Sequence, residues 1–175
     1  MAAKKRTLSP DTIIAISATI VSACALIITI YQTSLMREQQ LKTVWPYLIT
    51  SEMVDENQKM SIIITNNGIG PAIVDSVRIE YKGQSYKSYV EVVKQISKEL
   101  NRGEYGLRWS HNSISKGSVI QSGNGSEWIT VNGEEDNKIF AERMRDVKSY
   151  IYYRSIYDEK WCSQYHVSDK SVIEL

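Results

Sequence analysis

The run Thr12–Tyr31, TIIAISATIVSACALIITIY, constrains the fold of this chain more than any other feature. It holds 20 residues without a charge, a Gly or a Pro. As a helix it would span about 30 Å, the thickness of a bilayer's hydrocarbon core. It is longer than a signal-peptide apolar stretch of about 7–15 residues. A soluble core helix seldom stays apolar on every face for this length. The expectation is therefore an uncleaved single-pass membrane anchor. Ser9 can cap the helix, Pro10 suits its first position, and Asp11 complements its positive end. No strong stop follows before Pro46, which pushes Trp45 towards extended geometry. One helix over 10–43 would be about 51 Å long and would leave the membrane by some three turns.

This divides the chain into a basic N-terminus (1–11), a transmembrane helix (12–31), a helical juxtamembrane extension (32–44) and a domain (45–175). Lys4, Lys5 and Arg6 precede the span, while Arg37 and Lys42 follow it. The clustered excess before the span favours an N-terminus in the cytoplasm and a domain outside it. Ala15, Thr19 and Ala23 recur every four residues, and Ala18, Ser22 and Ala25 make a neighbouring stripe of small side chains. Such faces let helices approach closely, so association within the membrane is expected, with Ala15, Thr19, Ser22 and Ala23 at the contact.

The whole chain has 175 residues, 21 Lys and Arg against 20 Asp and Glu, and two Cys. That composition excludes a disordered chain and a disulfide scaffold. Residues 45–175 alone carry 16 basic and 18 acidic side chains. A domain that is slightly acidic is not expected to bind nucleic acid.

The domain reads as mainly β. Strands are expected at 45–51, 59–65, 73–82 and 148–157, the last with a hairpin partner at 159–167. A short segment at 85–86 and a helix over 88–100 lie between them. The best hairpin by turn chemistry joins 118–122 to 127–131 across Asn124-Gly125. Residues 136–145 read as a helix or a loop. Seven or so short strands at regular spacing predict an antiparallel immunoglobulin-like β-sandwich with one short helix.

The order WPYL (45–48), a polar loop, then an apolar strand ending NNGIGPA (66–72) resembles small bacterial single-pass membrane proteins with an N-terminal helix and an Ig-like β-sandwich. The late YIYYRSIYDEKW (150–161) resembles the final hairpin of that group. The resemblance covers roughly residues 30–165. It implies the fold and a bacterial inner-membrane location, and it implies no activity. In size and layout the chain is also similar to the accessory membrane protein of type VI CRISPR systems, an oligomeric pore.

Motifs for chemistry do not emerge. Gly103–Gly106 and Gly117–Gly125 match neither a P-loop nor a dinucleotide fingerprint. Cys162 and His166 in a strand stand about 13 Å apart, too far for one zinc ion. Arg102 and His111 are too widely spaced for a ribonuclease motif of the R-x(4–6)-H kind. No catalytic, cofactor or metal site is expected. Aromatic residues are more informative. Trp45, Tyr150, Tyr152 and Tyr153 are candidates for an interface, because Tyr and Trp offer large contact area at low entropic cost. The expected function is that of a non-enzymatic membrane protein, self-associating or binding a protein partner. The alternative is an oligomeric pore in antiviral defence, with Thr12, Thr19, Ser22 and Thr29 facing a lumen.

Overall fold

A computed structural model describes residues 9–55, 59–103, 106–167 and 169–175. Lys4, Lys5 and Arg6 lie outside them. The chain divides into two compact units, with the boundary between Lys42 and Thr43. The first is a single helix, α1 (Pro10–Thr43). Ser9 caps it: the Thr12 N–H donates to Ser9 Oγ (3.3 Å) and the Ile13 N–H to the Ser9 carbonyl (3.2 Å).

The second unit is mainly β. Its elements run β1 (Leu48–Val54), β2 (Met60–Asn66), β3 (Ala72–Tyr81), β4 (Gln84–Tyr86), α2 (Tyr89–Glu99), β5 (Trp109–His111), β6 (Val119–Ile120), β7 (Gly125–Val131), α3 (Glu134–Met144), β8 (Val147–Arg154), β9 (Lys160–His166) and β10 (Asp169–Glu174). Among the described residues, these strands form two antiparallel sheets. One has the order β1-β2-β7-β5; the other has β10-β9-β8-β3-β4, with β6 also on β3. Alternation places Leu48, Ile62, Ile64 and Ile129 of the first sheet, and Val74, Ile79, Ile151 and Tyr165 of the second, in one buried core.

The expected hairpin over 118–131 does not form. The apolar stretch before Asn124 shortens to the two residues of β6, which pair with the start of β3. β7 instead lies between β2 and β5 in the other sheet. The intervening residues cross from sheet to sheet, and Asn66 holds the crossing. Its N–H donates to the Asn124 carbonyl (3.0 Å), and its carbonyl accepts from the Gly123 N–H (2.8 Å). A local turn preference lost here to long-range backbone bonding.

Asn66 is fully buried and its amide is fully used. Oδ1 accepts from the Tyr47 and Gly68 N–H groups, both at 3.0 Å. Nδ2 donates to the carbonyls of Gly70 (2.8 Å) and Ile120 (2.9 Å). The residues around it form a tight clasp. The Asn67 N–H donates to the Tyr47 carbonyl (2.8 Å) and the Ile69 N–H to the Trp45 carbonyl (2.9 Å). A side chain on Gly68 would run into the Trp45–Tyr47 backbone, and one on Gly70 into the Val44 carbonyl. NNGIG is therefore required for close approach of backbones.

Among the described residues, two helices, not one, belong to this domain. α2 is amphipathic and buries Val92, Val93 and Ile96; Ser88 caps it by accepting from the Glu91 N–H (3.4 Å), and Glu91 accepts from the Lys87 N–H (2.9 Å). α3 resolves the ambiguity over 136–145 as helix. Glu134, Glu135 and Asp136 sit in its first turn, where they complement the dipole, and Arg143 sits in its last. Asp136 is nearly buried and bridges to Arg102 (3.0 Å) and to the Arg108 N–H (3.1 Å), while Phe140 and Met144 enter the core. The tertiary contacts select the helix, since its apolar periodicity alone is weak.

Replacing Asn66 by Ala strands two buried N–H groups and two carbonyls. Asn66→Ala is expected to lower stability by about 3 kcal/mol or more. Urea unfolding of the detergent-solubilised chain, followed by Trp fluorescence, measures the loss.

Candidate membrane helix and interaction face

α1 is the first candidate functional element. It is long and apolar enough to cross a membrane, with a mean hydropathy of 2.6 over its most apolar 18 residues, and no residue of it is buried. Its hydroxyls donate back to the helix. Ser17 bonds the Ile13 carbonyl (2.8 Å), Thr19 that of Ala15 (2.9 Å), Ser22 that of Ala18 (2.8 Å) and Thr29 that of Ala25 (2.8 Å). Each O–H is thus satisfied without water, which lowers the cost of placing these residues in hydrocarbon. The unbroken helix keeps Ala15, Thr19 and Ala23 along one stripe, with Ser22 beside it.

The second candidate is the outward face of the sheet containing β8. Strand alternation divides the three tyrosine candidates of β8. Tyr150 and Tyr152 point outward and are half-buried. Across the ladder Tyr150 faces Arg78, whose guanidinium lies 4.5 Å from the ring centroid. Tyr152 faces Cys162 in β9. Arg78 escaped sequence reasoning as a site residue, although Val77, Ile79 and Tyr81 mark the inward positions of β3 and so place Arg78 outward.

Tyr153, expected at an interface, instead points into the core. It is 1% exposed, stacks on Trp161 with centroids 5.9 Å apart, and its hydroxyl accepts from the Leu48 N–H (3.2 Å). Burial pushes its phenol up to about 12. The period of two assigns adjacent tyrosines to opposite faces, so Tyr152 and Tyr153 have different roles. Trp45 precedes β1, is 42% exposed and packs against Tyr47 at 5.1 Å between ring centroids.

Several polar groups elsewhere are engaged in structure. Arg102 pairs with Glu135 (2.6 Å) as well as Asp136. His111 packs against Trp109. Tyr165 donates to Glu52 at the inner rim between β1 and β9. A cavity of about 560 Å³ between the β5–β6 and β6–β7 connections is lined by serines, Gln121, Asn124 and aliphatic side chains, with no titratable group. Among the described residues no three His, Cys, Asp or Glu side chains gather as metal ligands.

Compared with known proteins, the chain matches no family model, and no curated protein and no solved structure is significantly similar to it.

Cys162 is 2% exposed, and burial raises its thiol pKa, opposed by the Tyr152 hydroxyl and the Arg78 charge. A raised pKa leaves less thiolate at neutral pH. In a Cys24→Ala background the native protein is expected to react with a maleimide at least about 100-fold more slowly than a free thiol. Adding denaturant, or replacing Tyr152 by Ala, should restore the rate. Alkylation followed by mass spectrometry reads both outcomes.

Proposed function

We propose that this chain is a non-enzymatic single-pass membrane protein of the bacterial inner membrane. α1 anchors it, with Lys4, Lys5 and Arg6 on the cytoplasmic side. Helices of separate copies associate along Ala15, Thr19, Ser22 and Ala23. The domain, an Ig-like β-sandwich in this reading, binds further copies or a protein partner through the face carrying Tyr150, Tyr152 and Arg78. The layout is that of the small bacterial membrane proteins the sequence resembles.

The observation that carries this reading is α1 itself: 34 residues of continuous helix, none of them buried. An apolar helix with no protein cover needs an apolar solvent. Small side chains along one stripe, with neighbouring hydroxyls already bonded to the helix, favour close contact between helices, where van der Waals packing drives association. The outward Tyr–Arg pairing has the composition enriched at protein interfaces.

The test has two parts. After expression, the protein is expected to resist alkaline extraction from membranes; release into the soluble fraction would sink the anchor. In detergent, the purified chain should form a defined oligomer by light scattering. Replacing Ala15, Thr19 and Ala23 together by Leu should shift it towards monomer. Membrane depolarisation on overproduction, abolished by the same triple substitution, would move the function from anchor to pore.

A further inference from the structure

The strongest hairpin signal in the sequence surrounds Asn124-Gly125, yet the fold leaves its two strands apart. β6 pairs with β3 in one sheet and β7 with β2 in the other, so the chain parts at 121–124. The cavity of about 560 Å³ lies between them, with Val119 on one wall and Gly125 on the other. Its size falls within the range of about 300–1,000 Å³ found for small-ligand sites.

Backbone register shows what faces this cavity. In β3, the Val74 N–H donates to the Ser118 carbonyl (2.9 Å), and the Val74 carbonyl accepts from the Gly117 N–H (2.8 Å). Alternation then makes Ala72 and Ile120 the next bonded pair, and it turns the Val119 N–H and carbonyl away from β3. In β2, Asn66 bonds Gly123 and Asn124 through its backbone, so Ile64 bonds Ser126 and the polar groups of Gly125 point away from β2. The Glu127 carbonyl points the same way as those of Gly125, and it accepts from Asn112 Nδ2 (2.8 Å). β5 does not reach Gly125, because its ladder with β7 ends at Ile129. Among the described residues, neither Val119 nor Gly125 has a backbone partner on the side facing the cavity.

The turn that holds these two edges apart is fixed. Besides the Asn66 bonds, Ser122 Oγ donates to the Gly68 carbonyl (2.6 Å) and Asn124 Nδ2 to Gln121 Oε1 (3.2 Å). Groups held in place in this way bind a ligand at lower entropic cost. Unpaired strand edges on two walls select another backbone, since only an extended chain repeats N–H and C=O groups at the strand period. Among the described residues no titratable side chain lines the cavity, and its inner surface includes the nearly buried Ile114 and Ile120. Charged side chains entering it would lack partners. We propose that an extended, uncharged peptide segment of a partner protein enters this cavity as a strand. It bonds Val119 on one side and Gly125 on the other, and it sets a small aliphatic side chain against Ile114 and Ile120. The site is separate from the Tyr150 face and does not depend on helix association.

The test uses the full-length chain in detergent and capped pentapeptides on beads. One library is built from Ala, Ser, Thr, Val and Gln; a second carries Glu or Lys at the central positions. Binders are expected from the first library and not from the second. The best binder is then titrated by fluorescence anisotropy. N-methylation of its central residues should raise the dissociation constant about tenfold, because each methyl removes a donor to a strand edge. Val119→Pro deletes the N–H that faces the cavity and spares the ladder to β3, so it should act in the same direction. Ser113→Trp, a bulky substitution of an exposed lining residue, should do so too. Val54→Ser, exposed at the far end of β1, should change nothing. If Val119→Pro loses the native near-ultraviolet circular dichroism, Ser113→Trp and the N-methylated peptides decide. Absence of any binder, equal binding of both libraries, or indifference to N-methylation overturns the proposal. Cellotetraose or chitotetraose shifting the Gly125 amide resonance where no peptide does makes the occupant a glycan, and overturns it as well.

Discussion

The buried amide of Asn66 is the interaction on which the rest of the domain depends. Each of its two polar atoms serves two backbone groups, and the four partners come from three separate stretches of chain: the segment before β1, the NNGIG loop and β6. Its own backbone adds the crossing at Gly123 and Asn124. An amide in this position substitutes for ladder bonds where two sheets exchange strands. Without it, the loop groups would be buried and unpaired, at a cost of about 1–3 kcal/mol each. The two glycines complete the arrangement by removing side chains where backbones meet. The same clasp holds Trp45 and Ile69 in place at the domain surface.

The two units pair their polar groups by different routes. In α1 the solution is local: backbone bonds run along the helix, and serine and threonine hydroxyls return to carbonyls four residues back. No distant residue is needed, and the helix suits a medium without water. In the domain the solution is long-range. Ser61 and Thr130 bond across two strands (2.9 Å), Tyr153 serves the start of β1, and Arg102 reaches α3 through Asp136.

Legibility in the sequence follows that difference. The limits of α1 could be read because apolar length, cap and stop all lie in neighbouring residues. β2, β3, β8, β9 and α2 were legible from period and flanking turns, and the β8–β9 hairpin formed with its turn near Asp158, which adopts φ 65°. Several features of the domain were not legible, among them β5 and β10, where no strand was expected. Asn124-Gly125 has the chemistry of a hairpin turn, yet its flanking strands belong to different sheets, because Asn66 offers better backbone bonding than the local pair would. α3 has weak periodicity and exists through Asp136, Phe140 and Met144. The aromatic stretch of β8 shows the same limit within a single strand. Richness in Tyr marked it as important, but alternation against two neighbours put Tyr150 and Tyr152 outside and Tyr153 inside.

Residue order alone thus decided the long helix with its uncharged run, its cap at Ser9, and a β-rich domain after Pro46. Those properties depend on hydrophobicity and backbone chemistry over a few turns or strands. Only the folded domain decided which strand pairs with which, which tyrosines face outward, and that Val119 and Gly125 turn their backbones to one cavity. Those outcomes follow from sheet register and from one buried asparagine, and neither has a signature in any short window of sequence.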